Sequence, residues 1–491
     1  MISSLCCRFR DFGLTHAIVV PLAVSGAVFA QVALAQSNPA QSDPAPGAAA
    51  QSAPMQAGTA PAVPFCANWP EGSKTIDPHM RGLQPGLDNW VFNASGDFAL
   101  LGWLPDRDLA ALRTFVAALN ERGTQLAIVV PPPRGLIESA HVDPARFEAE
   151  KLDYPRIAEG YDVFVESLRE SGAIVPNLRE AIAAARAKAP VEFYYHRDIH
   201  WRPEGARIAA EALAAEIRTS DVYKDLPRVE FATHAESEMN PRQYWVDALD
   251  QVCGTGKTYE TATRYVTEKQ GGGDAAASLL GDEGVPQVVL VGTSMSFRSD
   301  GGDANFGGFL QQALSVDLLN SAIPGGGLVT SIMSYLYSAD FQSAPPKLLV
   351  WEFRPFDPAT ELEIRQLLGA IAGPCAADQA VLSNTVQLDR GRTVALRLDE
   401  QAAAKLPPNV YLDLSLSDTS IREFDYSVDY ADLRRERIAI DLARAQVATN
   451  HYFLELPSGQ AATLREIAVR PRSPAAGSAT VTLCRRPEPA L

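Results

Sequence analysis

The segment best suited to acid–base chemistry places an aspartate two residues before a histidine. It reads YYHRDIHWRPEG, residues 194–205, and contains Asp198 and His200 among aromatic and arginine side chains. A carboxylate on one imidazole nitrogen fixes the tautomer, and the other nitrogen can then take a proton from a hydroxyl group. The pair predicts the base of a hydrolytic or acyl-transfer site. A structural hydrogen bond in a loop ahead of a helix is the competing interpretation.

A nucleophile for this base is predicted at the end of a buried strand. The apolar run Gln287–Val291 leads directly into Gly292-Thr293-Ser294-Met295-Ser296. A serine just past such a strand stands at the sheet edge where α/β proteins bind ligands. The G-x-S-x-G hydrolase signature is absent, because position 296 is serine. We predict Ser294 as the nucleophile, with an ordinary turn as the alternative.

A metal site is another interpretation of the histidine segment. His196 lies four residues before His200, which on a helix would put both rings on one face. The segment precedes Pro203 and is typical of a loop, and the glutamate of an H-E-x-x-H motif is absent. We therefore predict neither a metal nor another cofactor.

The scaffold for these residues is predicted to be an α/β domain over residues 65–374. A helix after Pro203 is indicated by Ala209, Leu213 and Ile217, with proline in the first turn. Continuous apolar runs that alternate with helices indicate a largely parallel sheet. The predicted strands are residues 125–130, 173–176, 287–291 and 347–353.

A second domain is predicted after Cys375, over residues 375–491. Apolar residues there alternate with period two, as in Val410, Leu412 and Leu414. Several short strands of this kind indicate a β-sandwich. Exported β-sandwiches often bind carbohydrate, but a fold alone does not establish a function.

The N-terminal residues predict export. Arg8 and Arg10 precede an apolar run over 17–32 that ends in Ala33-Leu34-Ala35, which is typical of a cleaved signal peptide, residues 1–35. A membrane anchor is the alternative. Residues 36–64 are rich in Ala, Pro, Ser and Gln and predict a flexible linker. We expect a periplasmic protein.

Four cysteines follow the predicted signal peptide: Cys66, Cys253, Cys375 and Cys484. An even number in an exported chain predicts disulfides, and four cysteines allow three pairings. We favour Cys66–Cys253 and Cys375–Cys484, because each bond would then close one predicted domain. The formal net charge of -16 argues against nucleic acid as a partner.

Four stretches of the sequence form one combined pattern: the D-x-H-W-x-P-E-G-A motif from Asp198, the V-G-T-S ending at Ser294, the stretch 129–136 (VVPPPRGL) and, more loosely, 349–353 (LVWEF). Together these motifs resemble the AlgX/AlgJ family of periplasmic alginate O-acetyltransferases. The predicted sandwich is similar to the carbohydrate-binding module of the AlgX-type members. The resemblance implies an SGNH-hydrolase-like fold, with Ser294 as nucleophile, His200 as general base and acid, and Asp198 as its orienting residue.

Residues around these motifs are candidates for binding an anionic polymer. Arginine can bind a carboxylate bidentately, and aromatic rings can stack on sugars. Asn305 and the glycines at 325–327 are candidates for a second oxyanion donor, by position only. The predicted substrate-binding residues are Arg134, Tyr195, Arg197, Trp201, Arg298 and Asn305, and Arg202, Arg354 and Tyr194 are weaker candidates.

The sequence thus predicts an exported O-acetyltransferase of an exopolysaccharide, and the resemblance implies mannuronate units of alginate acetylated at O2 or O3. Expected partners are the anionic polysaccharide, an acetyl donor or membrane-associated acetylation protein, and other polysaccharide secretion proteins. An acetylesterase and a non-catalytic polysaccharide-binding scaffold are the alternatives.

Overall fold

The structure is a computed structural model that describes Trp69 and residues 82–147, 152–254, 256–270, 286–297, 304–355, 359–389, 391–445, 449–472 and 477–486. The predicted signal peptide, the linker, Cys66 and Arg298 lie outside these residues. None of the described helices combines the length and apolarity needed to cross a membrane.

The central sheet has four parallel strands in the order β3, β8, β6, β7. These are β3 (Gln125–Val129), β6 (Val288–Val291), β7 (Leu319–Asn320) and β8 (Leu348–Glu352). A parallel bridge from Ala127 to Ile174 extends the sheet beside β3. Strands β6 and β8 are buried along their whole length, as continuous apolar runs in a covered parallel sheet should be. The predicted strands at 125–130, 287–291 and 347–353 are confirmed to within two residues at each end.

Helices and small strands surround this sheet. Two antiparallel pairs join β1 (Leu83–Pro85) with β2 (Val91–Asn93), and β4 (Phe231–Met239) with β5 (Ala262–Lys269). The helices up to the end of this region are α1 (Asp106–Glu121), α2 (Arg134–Ile137), α3 (Pro144–Phe147), α4 (Tyr154–Arg169), α5 (Leu178–Arg186), α6 (Pro203–Thr219), α7 (Asp221–Lys224), α8 (Val246–Cys253), α9 (Phe306–Leu314), α10 (Thr330–Leu336), α11 (Ala339–Ser343) and α12 (Glu361–Ala372). Short 3-10 turns lie at Ser139–His141 and Ala461–Thr463.

Helix α6 shows why the segment after the histidine loop folds as predicted. Pro203 occupies the first turn, where its missing N–H has no helical partner to lose, and Ala209, Leu213 and Ile217 are fully buried on one face. A Cβ atom at Gly205 would lie 2.3 Å from the carbonyl oxygen of Phe193. Glycine therefore lets the helix start directly against the strand-like segment that enters the histidine loop.

The C-terminal region forms two four-stranded antiparallel sheets. One has the order β10, β15, β12, β13 and the other β14, β11, β16, β9. Their bounds are β9 (Ala380–Gln387), β10 (Thr393–Arg397), β11 (Val410–Leu416), β12 (Glu423–Tyr430), β13 (Arg435–Asp441), β14 (His451–Glu455), β15 (Leu464–Pro471) and β16 (Ser478–Arg485), with one short helix, α13 (Glu400–Ala403).

The two C-terminal sheets pack face to face as a β-sandwich. Phe424 of β12 meets Tyr452 of β14 with ring centroids 4.6 Å apart, and the Tyr426 hydroxyl donates to the Phe453 carbonyl across the same interface. Alternation is visible along β12 and β13, where every second side chain is buried. The predicted sandwich is thus confirmed as a fold.

A disulfide closes the sandwich region, and a helix packs this region against the α/β region. Cys375 and Cys484 are bonded, with Cα atoms 5.9 Å apart, as predicted. Cys253 is also disulfide-bonded. Helix α12 lies against β14, where a Cβ at Gly369 would come within 2.7 Å of the Phe453 side chain. Because this helix covers the outer face of its sheet, Tyr411 and Asp413 of β11 are buried although they point away from the sandwich core.

Candidate active site

The histidine loop is closed on itself before helix α6 begins. Tyr194 and Trp201 form an antiparallel bridge, and the Tyr195 amide donates to the His200 carbonyl at 3.2 Å. Asp198 accepts the backbone N–H of His200 at 2.8 Å, which makes a tight local turn. This geometry explains the spacing of two residues, because the aspartate can bond both the amide and the ring of the same histidine.

The two side chains of this loop are paired and buried to different degrees. His200 Nδ1 forms a short hydrogen bond with Asp198 Oδ1. The other Asp198 oxygen accepts the backbone N–H of Tyr244. The Asp198 side chain is 4% exposed and that of His200 is 27% exposed. A buried carboxylate thus orients a ring whose other edge is accessible.

The serine turn meets that accessible edge. Strand β6 ends at Val291, and Ser294 Oγ lies 2.8 Å from His200 Nε2 although 94 residues separate them. The turn is held from both sides, since the Gly292 amide donates to the Ser331 hydroxyl at 2.9 Å and its carbonyl accepts the Ile323 amide at 3.0 Å. The structure therefore brings the three predicted side chains into one chain of hydrogen bonds.

Within the described part of the chain, no protein group accepts a hydrogen bond from the Ser294 backbone N–H. An amide adjoining the attacking oxygen is well placed to stabilise negative charge on a carbonyl oxygen.

Charges around the ring set its basicity. Burial lowers the pKa of His200, but the charge and hydrogen bond of Asp198 and the charge of Glu352 outweigh burial, while Arg354 opposes them, and the pKa is raised above its ordinary value. Burial raises the pKa of Asp198, yet the His200 ring and the amides of His200 and Tyr244 bring it below its ordinary value. The aspartate is therefore ionised wherever the histidine titrates.

Arg134 was predicted to bind substrate, but its side chain is buried in the scaffold. Its side chain is 3% exposed and donates to the carbonyls of Val91 at 2.6 Å, Tyr195 at 2.8 Å and His196 at 2.5 Å. It also pairs with Asp97 at 3.1 Å. The guanidinium supports the base of the histidine loop.

Arg197, Tyr195 and Trp201 are likewise buried, which argues against the predicted contacts of the arginine with the polymer's carboxylates and of the two aromatic rings with sugars. Arg197 is 3% exposed and donates to the Thr258 carbonyl at 2.7 Å, and the Tyr195 ring, 5% exposed, lies under the Arg202 guanidinium. Trp201 is fully buried, and its Nε1 donates to the Met295 carbonyl at 2.9 Å. Trp201 therefore ties the histidine loop to the serine turn. Polar and aromatic residues near a motif were misread because the sequence does not show which side of the loop faces the core.

The structure also shows the surroundings of Asn305, Arg354 and His196. Asn305 is the residue before helix α9 and has a left-handed backbone, and its side-chain Nδ2 donates to the Thr267 hydroxyl at 3.0 Å. Arg354 is half-buried just past β8 and close enough to His200 to lower its pKa. His196 Nε2 lies 3.0 Å from Glu192 Oε1, so the two histidines of the metal interpretation face different carboxylates.

Three residues at the site were not predicted. Tyr244 supplies the amide on Asp198, and Glu260 accepts the amides of His196 at 3.1 Å and Arg197 at 3.3 Å. Their separation in sequence from the loop leaves no signal. Glu352 is different, because an acid inside the apolar run 347–353 signals a buried carboxylate.

The arrangement can move one proton between a hydroxyl oxygen and His200 and can place an acyl group on Ser294. Comparisons with known proteins agree with this chemistry. Residues 83–355 match the family model "SGNH hydrolase-like domain, acetyltransferase AlgX".

Individual relatives extend the match to most of the chain. The Pseudomonas aeruginosa protein named "Alginate biosynthesis protein AlgX" is 30% identical over 441 residues, covering 88% of this chain and 87% of the relative. From the same organism, "Probable alginate O-acetylase AlgJ" is 30% identical over 283 residues, 55% of this chain and 69% of the relative. The solved structure of P. aeruginosa AlgX superposes with a TM-score of 0.71 at 26% identity and covers 86% of this chain and 99% of that one.

Proposed function

This chain belongs to the AlgX family of SGNH-hydrolase-like acetyltransferases, and from that premise we propose that it transfers acetyl groups through Ser294 to hydroxyls of an exopolysaccharide, specifically mannuronate units of alginate. The observation that carries the proposal is the continuous hydrogen-bonded chain from Asp198 through His200 to Ser294. A relative named as an alginate O-acetylase supports both the reaction and the polymer.

In the first half-reaction Ser294 is acetylated. His200 Nε2 takes the hydroxyl proton while Ser294 Oγ attacks the acetyl carbonyl of the donor, and the Ser294 amide donates to the resulting oxyanion. Collapse of the tetrahedral intermediate breaks the bond to the donor, whose leaving group takes the proton from His200. Asp198 holds the ring in the required tautomer and stabilises the imidazolium.

In the second half-reaction the acetyl group moves to sugar. A mannuronate hydroxyl, O2 or O3, attacks the acetyl-serine carbonyl, and His200 accepts its proton. The ester bond to Ser294 then breaks, and His200 returns the proton to Oγ. One ring serves as base and acid in both halves, so no metal or other cofactor is required.

The polymer is proposed to contact both parts of the molecule. We assign residues 65–374 to a catalytic domain and residues 375–491 to a carbohydrate-binding sandwich that raises the local concentration of polymer. Arg354 lies half-buried just past β8, and we propose that it is one of the partners of a uronate carboxylate near the acceptor hydroxyl.

Location and partners follow from the same proposal. Residues 1–35 would direct the chain to the periplasm, where polymer in transit is accessible and the disulfide of Cys375 with Cys484 is stable. The acetyl group would come from a membrane-associated donor protein, and other polysaccharide secretion proteins would deliver the polymer.

Product analysis tests the proposal. The protein is incubated with an activated acetyl ester, with and without mannuronate oligomers, and acetylated oligomer and free acetate are measured by mass spectrometry. The expected result is acetylated oligomer with the unmodified protein and none with Ser294→Ala. Free acetate alone would show an esterase, and oligomer binding without any turnover would show a scaffold; either result contradicts the proposal.

A further inference from the structure

Glu352 is a buried acid at the carboxyl end of the central sheet. It is the last residue of β8, and its side chain is fully buried beside the strand that leads to Ser294. In the described part of the chain no lysine or arginine forms an ion pair with it. A carboxylate in such a place is destabilising unless hydrogen bonds satisfy it, so its partners identify what it does.

Those partners belong to the residue that precedes Ser294. Glu352 Oε2 accepts the Thr293 backbone N–H at 2.8 Å, and the Thr293 hydroxyl lies 3.0 and 3.1 Å from the two carboxylate oxygens. The same hydroxyl accepts the Met295 amide at 3.2 Å. The carboxylate thus fixes the residues on both sides of Ser294 through one threonine.

The close approach depends on glycine at the start of the turn. A Cβ atom at Gly292 would lie 2.7 Å from Glu352 Oε2. The bond to Glu352 also removes the Thr293 amide from any contact with substrate, whereas the Ser294 amide has no acceptor among the described residues. The carboxylate therefore selects which amide of the turn is left for an oxyanion.

We propose that Glu352 is a positioning residue of the acyl-transfer site, which acts through Thr293 to fix the Ser294 hydroxyl and amide and adds a second carboxylate near His200. The inference deepens the proposed function and rests on Ser294 as its nucleophile. Among the charges that act on the ring, those of Asp198 and Glu352 raise the pKa of His200 and that of Arg354 lowers it. Loss of the Glu352 charge should therefore lower the pKa of His200, which a packing role alone would not do.

Two variants, Glu352→Gln and Thr293→Val, separate the effect of the Thr293 hydrogen bonds from the effect of the Glu352 charge on His200. For Glu352→Gln we expect kcat to fall about 10- to 100-fold with KM within about twofold, because a displaced nucleophile slows the chemical step. The acid limb of kcat/KM should also move to lower pH. Thr293→Val should lower kcat while leaving the acid limb in place, since the carboxylate remains.

A buried glutamate away from the serine provides the matched control. Glu138 is 4% exposed and lies 2.8 Å from Arg186, and Glu138→Gln should lower the melting temperature without changing kcat or the pH profile. Unchanged kcat in Glu352→Gln, or reduced kcat with an unmoved acid limb, would overturn the inference.

Two further variants make the result unambiguous. If Glu352→Gln does not fold, Thr293→Ser, which keeps the hydroxyl, should retain several-fold more activity than Thr293→Val, and equal activities would overturn the inference. Ser294→Ala is measured in the same assay. Full activity of Ser294→Ala would overturn the proposed nucleophile and this inference together, whereas an inactive Ser294→Ala beside a fully active Glu352→Gln would overturn the inference alone.

Discussion

Among the described residues, two aspartate–histidine pairs have a buried carboxylate, one in each region, and one of these two is joined to a serine. In the α/β region His200 Nδ1 bonds Asp198 and Nε2 bonds Ser294. In the sandwich His451 Nδ1 lies 2.8 Å from Asp413 Oδ1. Both carboxylates are buried, both rings are about 30% exposed, and the pKa of both histidines is raised.

The difference lies in what surrounds the two rings. Asp413 also accepts a hydrogen bond from the Cys375 backbone N–H at 2.9 Å. The pair of Asp413 and His451 therefore holds the first residue of the sandwich region in place beside the disulfide. Within the described residues no hydroxyl contacts the second nitrogen of His451. A carboxylate beside an imidazole is therefore a common stabilising pair, and the strand-end serine distinguishes the pair that we propose to be catalytic.

Removal of each histidine should give the largest contrast between the pairs. We expect His200→Ala to lower the rate of oligomer acetylation by at least about 10³-fold, because serine loses its base. His451→Ala should leave the rate within about twofold. Initial rates with a fixed acetyl ester and mannuronate oligomer measure both. A comparable loss in the two variants would remove the functional distinction between the pairs.

Neutralising each aspartate should sharpen the comparison. Asp198→Asn should reduce kcat by about 10²- to 10⁴-fold, since the ring loses its enforced tautomer. A general base must be unprotonated, and Asp198 holds the pKa of His200 up. The remaining activity should therefore extend to lower pH than in the unmodified protein. Asp413→Asn should leave the pH profile of kcat/KM unchanged, and a shifted profile in that variant would contradict the account.

The sandwich pair should instead contribute to stability together with its disulfide. Cys375 and Cys484 are 109 residues apart, and replacing both with alanine should lower the free energy of unfolding by about 2–5 kcal/mol. Oligomer acetylation below the unfolding transition should be unaffected. Denaturant unfolding with parallel rate measurements tests this, and a large loss of activity in the folded variant would show that the junction supports the active site.

The smallest effect is expected in the pH dependence of stability. The hydrogen bond to Asp413 raises the pKa of His451 in the folded state. Its contribution is therefore complete below the unfolded pKa and is lost as pH rises through the higher folded pKa. Because the ring is 31% exposed, we expect less than about 1 kcal/mol. His451→Gln should remove this dependence of the free energy of unfolding on pH. An unchanged pH dependence in the variant would contradict this assignment.

The sequence predicted the contact between Asp198 and His200 and the parallel sheet, because both have local signals. Apolar β-branched runs mark β6 and β8, and Asp198 and His200 make their contact within one turn. The antiparallel pair β4 and β5 was not predicted, since β4 is mostly exposed and lacks an apolar alternation. Strand β9 was missed for the same reason.

The surroundings of the site could not be read in the same way. Arg134, Arg197 and Trp201 were interpreted as facing a ligand, but the fold directs them inward to carbonyl groups. Which side of an irregular loop is buried depends on segments distant in the sequence. An irregular loop has no hydrophobic periodicity from which its buried side could be predicted. Arg298 lies outside the described residues, and its predicted contact with polymer stays a prediction.

The central claim is that Ser294 carries the acetyl group between donor and polymer. Rapid quenching of the protein with an acetyl ester in the absence of oligomer, followed by peptide mass spectrometry, measures this intermediate directly. The account predicts one added acetyl group on the peptide that contains Ser294, which disappears when mannuronate oligomer is added and never forms in Ser294→Ala. Acetylated oligomer formed at full rate by Ser294→Ala, with no acetyl-serine in the unmodified protein, would contradict it.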